Sequence, residues 1–258
     1  MAQMPGSPLS SREPAEHTRQ DLLPASWRMI SLPVHGSEKT LDLRCYVVTG
    51  TADHRRTVEV ARAAAAGGAG VIQVRSKPIT ARELGRLAEE IAYAVASLGS
   101  GTHVLIDDRV DVTAALMRRG VPIHGVHLGQ QDLPVRDARE LLGPAAIIGL
   151  TTGTLELVQA VHRVADVVDY IGAGPFRPTP TKDSGRPPLG IAGYPPLVAE
   201  SPVPVVAIGD VTPADVPELA VTGIAGVAIS RGFMEAAAPD VVAAEVLAGF
   251  MAGRSDQK

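Results

Sequence analysis

Polar residues of a few particular kinds recur where apolar runs end. The run "GVIQVR" at 70–75 leads into "SK", so Gln73, Arg75 and Lys77 stand at alternate positions. "HVLIDDR" puts Asp107 and Asp108 side by side, "GVHLGQQD" places Asp132 after another run, and Thr151 closes "IIGLT". "GPFRPTPTKDSG", 174–185, sets Thr179, Thr181 and Lys182 in a loop. Its prolines fix φ and remove backbone donors, so it is stiff and is neither helix nor central strand. Arg75, Lys77 and Lys182 supply cations for a diphosphate. Asp108 and Asp132 are hard carboxylates suited to Mg²⁺, which typically uses one or two carboxylates plus phosphate oxygens. Thr179 and Thr181, with the glycine-containing ends of the runs at 203–209 and 226–230, could hold a second, single phosphate.

Each feature alone has a plainer explanation. Gln73 and Arg75 could form a polar layer in a core. An Asp–Asp pair is more often a turn or helix cap than a metal site, and Arg109 could neutralise it. His103, His124 and His127 lack zinc spacing, and His127 reads as packed or hydrogen-bonded. Cys45, inside "LRCYVVT", reads as a small core residue. The combination changes the odds, because the polar residues gather at one end of nearly every run.

The runs themselves are expected strands: 43–49, 70–75, 103–107, 125–128, 147–151, 169–174, 203–209 and 226–230. They are short, rich in Val and Ile and apolar nearly throughout, as parallel strands covered on both faces must be. Helical stretches lie between them. "TVEVARAAAAGG" combines alanine propensity with a glycine stop. "TARELGRLAEEIAYAVASLG" opens on a capping box of Thr80 and Glu83. "LPVRDARELLG" places Pro134 in a first turn. Strands each followed by a helix predict a closed (β/α)₈ TIM barrel, whose active site lies at the C-terminal strand ends. An open doubly wound sheet is the alternative, but no G-x-G-x-x-G follows the first strand.

The predicted organisation is a disordered, proline-broken tail over 1–40, a barrel over 41–252 and a frayed end over 253–258. The patch around Trp27 could pack on the domain or on a partner. A net charge of −4 and a pI near 6.0 give no electrostatic footprint for nucleic acid or an anionic membrane. A single cysteine excludes a disulfide within the chain and suits a reducing, cytoplasmic setting. Aromatics make up only 3% of the chain, so the core must be aliphatic.

With "QVRSK", "LIDDRVDV", "GVHLGQQDLP", "IIGLTT", "GPFRPTPTKD" and "VVAIGDVT" in this order, residues 43 to about 248 resemble the thiamine phosphate synthase family. The resemblance implies a transferase that couples hydroxymethylpyrimidine diphosphate with a thiazole phosphate, releasing pyrophosphate with the help of Mg²⁺. By position it implies Gln73 on the pyrimidine and Arg75, Lys77 and Lys182 on the diphosphate, with Asp107 beside it. Asp108 and Asp132 would ligate Mg²⁺, and Thr151 would stand near the reacting carbon. Thr179, Thr181, Gly209, Ile229 and Ser230 would hold the thiazole phosphate. Four positions depart from the family pattern. Asp107 replaces an Asn, His124 an Asp and Asp210 the second Gly of a pair, and "GVAISRG" is a residue shorter than usual. The expected partners are these two small molecules, with no nucleic acid and no membrane; a homo-oligomer is compatible with the sequence. Two alternatives stay open. A related thiazole tautomerase shares the barrel, but the full set of diphosphate residues argues against it. A silent thiazole- or thiamine-phosphate-binding barrel would be favoured by Asp107 and Asp210.

Overall fold

A strand that is apolar on both faces must be covered on both, and closing eight such strands into a parallel barrel achieves this without leaving an edge. The structure is a computed structural model and describes residues 32–33, 40–178 and 185–255. A short antiparallel pair comes first, β1 (Leu32–Pro33) with β2 (Thr40–Leu41). The barrel strands follow as β3 (Cys45–Val48), β4 (Val71–Val74), β5 (His103–Asp107), β6 (Gly125–Leu128), β7 (Ile147–Thr152), β8 (Tyr170–Ala173), β9 (Val205–Ile208) and β10 (Gly226–Ile229). Each pairs in parallel with the next, and β10 returns to β3. The intervening helices are α1 (His54–Ala66), α2 (Ala81–Ala96), α3 (Val110–Arg118), α4 (Val135–Leu142), α5 (Leu155–Ala160), α6 (Tyr194–Glu200), α7 (Val216–Val221), α8 (Arg231–Met234) and α9 (Pro239–Ser255).

The predicted barrel is therefore the observed one, and every predicted strand is present, trimmed by a residue or two at some ends. Helix starts follow local chemistry. Asp53 accepts from the N–H groups of Arg55 and Arg56 at 3.0 and 3.1 Å and caps α1. Thr80 and Glu83 form the expected reciprocal box on α2, each side chain 3.2 Å from the other's backbone nitrogen. Pro134 falls at the cap of α4, one residue before the first turn. Leu32–Pro33 lies within the stretch expected to be tail, yet it pairs with Thr40–Leu41. The Trp27 patch lies outside the described residues.

The pleat sorts side chains into two cores. Cys45, Val47, Ile72, Val74, Val104, Ile106, Val126, Leu128, Ile171 and Val227 point outward against the helices. Burial pushes the Cys45 thiol up to about 12, so it stays protonated and is a packing residue, as expected. Tyr46, Val48, Val71, Leu105, Ile147, Tyr170, Val206 and Ala228 point inward, with Leu41 and Leu43. Leu41 and Leu43 precede β3, so they fill the N-terminal end of the inner core, and the cavity opens at the C-terminal end.

Leu43 is 2% exposed within this inner core. Leu43→Ala should lower the unfolding free energy by about 2–5 kcal/mol in urea titrations. A loss below about 0.5 kcal/mol would mean that the segment before β3 is not part of the barrel core.

Candidate active site

The same inward pleat that fills the barrel carries Gln73 on β4, Asp107 on β5, His127 on β6 and Thr151 on β7. Gln73, Asp107 and His127 are almost fully buried, so their polar atoms must find partners inside. They do so in one continuous chain. Asp107, beside Arg75 and Lys77, accepts from Gln73 Nε2 through Oδ1 at 2.5 Å. Gln73 must therefore turn its amide oxygen to Tyr46, whose hydroxyl donates at 2.8 Å. With the Tyr46 proton committed, Tyr170 donates across the 2.7 Å contact between the two hydroxyls. The Tyr170 oxygen is then left to accept from His127 Nδ1 at 2.9 Å. In a neutral imidazole this makes Nε2 the acceptor for the Thr151 hydroxyl, also 2.9 Å away. Burial raises both tyrosine pKa values well above the ordinary phenol, so neither hydroxyl ionises within this chain.

Gly149 makes room for it. A Cβ there would overlap the Tyr170 hydroxyl and the His127 Nδ1. Neither tyrosine was expected in the site; His127, expected to be packed or hydrogen-bonded, is hydrogen-bonded within it. The signal in the sequence is faint. It amounts to two of the four tyrosines falling at inward positions of strands, Tyr46 on β3 beside the Gln73 strand and Tyr170 on β8, two strands from His127.

A cavity of about 510 Å³ opens over this floor at the C-terminal strand ends. On one side Arg75 Nε lies 3.4 Å and Lys77 Nζ 3.0 Å from Asp107 Oδ2, and Lys77 also pairs with Asp108. Burial opposes the Lys77 charge, but Asp108 and Asp107 outweigh it and raise the ammonium pKa. Asp132 accepts from the Gly129 N–H at 2.6 Å. Burial and, after it, the neighbouring Asp108 carboxylate raise its pKa, while the Gly129 bond and Lys77 act against them. Two carboxylates thus stand close enough to repel, next to fixed cations. Asp108 has φ 61, a left-handed conformation uncommon for a residue with a side chain.

The other side is built from β9 and β10. Gly209, Asp210 and Thr212 follow β9 and line the cavity with Ser230 and Arg231, which follow β10. Ile229 is placed otherwise. Its side chain is buried in the outer core, while its neighbours Ala228 and Ser230 face the cavity. Arg186 also lines it, donating to the Thr152 carbonyl, and was not foreseen. Thr179, Thr181 and Lys182 lie outside the described residues, between β8 and Arg186.

Fold and site together make a (β/α)₈ barrel with buried polar chemistry below its mouth and opposed charges around the rim. A family model described as thiamine monophosphate synthase matches residues 45–233, which include every site residue named above. The chain belongs to the thiamine monophosphate synthase family. It is 63% identical to a thiamine-phosphate synthase of Corynebacterium efficiens over 215 residues, covering 83% of this chain and 98% of that one. It is 64% identical to one of Corynebacterium jeikeium over 211 residues, covering 82% and 96%. The solved thiamine phosphate pyrophosphorylase from Pyrococcus furiosus superimposes with a TM-score of 0.68 at 30% identity, covering 82% of this chain and 96% of that one.

The polar chain gives a sharp expectation. Tyr170→Phe strands buried side-chain partners on both sides, whereas Tyr194→Phe gives up only backbone partners, the Ala173 carbonyl at 3.1 Å and the Ile208 backbone. Tyr170→Phe should cost about 1–3 kcal/mol in denaturant unfolding, and more than Tyr194→Phe. Equal losses would show that the chain across the floor contributes nothing beyond its separate bonds.

Proposed function

We propose that this chain joins hydroxymethylpyrimidine diphosphate to a thiazole phosphate, giving thiamine phosphate and pyrophosphate. Membership of the family supports the reaction. The observation that carries it to these residues is the convergence of Arg75 and Lys77 with Asp107, Asp108 and Asp132 on one side of the mouth. In the reaction the bond between the pyrimidine methylene carbon and its diphosphate oxygen breaks, and the electron pair leaves on the diphosphate. The thiazole nitrogen lone pair then forms the new C–N bond. Charge develops on the departing oxygens, so cations already held in place lower the barrier most. Arg75 and Lys77 have that character, because Asp107 and Asp108 keep them positioned in the free protein.

The donor set also fits Mg²⁺. Asp108 and Asp132 offer hard carboxylate oxygens, and Asp108 stands close enough to raise the Asp132 pKa, a situation a dication relieves. Among the described residues no cluster of three ligating side chains is present, so the shell would have to be completed by water and substrate oxygens. Bound there, Mg²⁺ would supply charge neutralisation to the diphosphate. Gln73, fixed from both sides of its amide, presents a rigid polar edge to the pyrimidine. Thr151 sits over the floor, its hydroxyl orientation set by His127. Lys182 would complete the grip on the diphosphate, and Thr179, Thr181, Gly209 and Ser230 would hold the thiazole phosphate. No helix among the described residues is long and apolar enough to cross a membrane.

The test is direct: purified protein, both substrates and Mg²⁺, with thiamine phosphate measured. Asp108→Asn and Asp132→Asn should each lower kcat at least about 100-fold with little change in melting temperature. Near-wild-type turnover with an unchanged Mg²⁺ requirement in either variant would remove that residue from the metal site. Absence of product from the wild-type protein would defeat the reaction itself.

A further inference from the structure

A second charged pair stands at the rim, where the proposed reaction gives it no role. Arg231 donates through Nη2 to Asp210, bridging the ends of the hydrogen-bonded neighbours β9 and β10. Both residues line the cavity, alongside Gly209 and Ser230. Asp210 has φ 58, a left-handed conformation that glycine adopts freely and that is uncommon for a residue with a Cβ. Its backbone is anchored as well. Arg177 Nη1 donates to the Asp210 carbonyl at 3.1 Å and pairs with Asp215. Asp215 in turn accepts from the Thr212 N–H and hydroxyl at 2.8 and 2.7 Å. A carboxylate is therefore held at a position where glycine would be easier, and its partner is a guanidinium at the cavity wall.

Alone, a carboxylate here would repel any anion entering this side of the mouth. Paired, it does the opposite, because it fixes a flexible cation in one place. The Arg231 side chain remains 50% exposed, and a guanidinium carries more N–H donors than one carboxylate can use. A planar, oriented guanidinium matches phosphate oxygens better than any other side chain. We infer that Arg231 is a substrate-binding residue that grips the single phosphate of the thiazole substrate, and that Asp210 is the positioning residue that aims it. The identity of that phosphate carrier rests on the proposed reaction; the anion site rests on the pair and the cavity.

Calorimetric titration of the full chain with the thiazole phosphate, alongside KM for each substrate, tests this. Arg231→Ala should raise Kd and KM for the thiazole phosphate about 10- to 100-fold, leaving KM for the diphosphate substrate within about twofold. Arg231→Gln, which keeps length and polarity, should behave the same way if charge is what matters. Asp210→Gly should have a milder effect. The double variant Asp210→Gly with Arg231→Ala should bind the thiazole phosphate better than Arg231→Ala, since no bare carboxylate remains. Unchanged Kd and KM in Arg231→Ala, or a double variant no better than it, would overturn the inference while leaving the reaction intact. A wild-type protein that binds the thiazole phosphate through Arg231 but forms no product would overturn the reaction and leave the anion site standing. Failure of the wild-type protein to bind it at all would overturn both.

Discussion

The amide of Gln73 is the hinge of the site. It donates to Asp107 and accepts from Tyr46, and neither bond can be reversed, because a carboxylate flanked by cations only accepts. That single orientation propagates through Tyr46 and Tyr170 to His127 and Thr151, so protons on four strands beyond β4 are ordered by one amide. A barrel interior permits this because inward side chains from neighbouring strands share one small space, where an unpaired polar group costs about 1–3 kcal/mol. The floor is therefore rigid before any ligand arrives. Asp107 links it to the cations above, since the carboxylate that fixes Gln73 also contacts Arg75 and Lys77.

This gives the departure at Asp107 a physical sense. A negative charge near a diphosphate is unfavourable in isolation. Here its neighbours are two cations and an amide, and it holds them while the site is empty. A ligand with its metal would then compete for Arg75 and Lys77 with a group already in place, trading some affinity for order. The second departure, Asp210, has the same form: an aspartate beside an expected anion, neutralised by an arginine.

Much of this was legible in the sequence. The barrel could be read because parallel strands covered on both faces leave an unmistakable pattern of short aliphatic runs, and Gln73, Arg75, Asp107, Asp108, Asp132 and Thr151 could be read because polar residues collected at one end of those runs. The tyrosines could not. Tyr46 and Tyr170 are separated by 124 positions, and each sits in an apolar strand where a local pattern predicts only packing. Arg186 and Arg231 were hidden for a different reason, since each lies in a loop or short helix whose charge looks like ordinary surface until closure of the barrel turns it inward. Ile229 marks what a motif leaves open: adjacent positions on a strand face opposite ways, and with its side chain in the outer core only its backbone stands beside the cavity, between Ala228 and Ser230.

The two left-handed aspartates follow β5 and β9, and in the closed order of eight strands these are four steps apart, on opposite sides of the ring. The proposed reaction must bring together two molecules that both carry phosphate. Repulsion between two unit charges is about 4 kcal/mol at about 4 Å for an effective dielectric near 20, and about a third of that at three times the separation. A ring that anchors one anion at β5 and the other at β9 lets the reacting atoms meet near the axis while the like charges stay a barrel's width apart. In the proposed reaction the diameter of the fold would act as a spacer between the two anions.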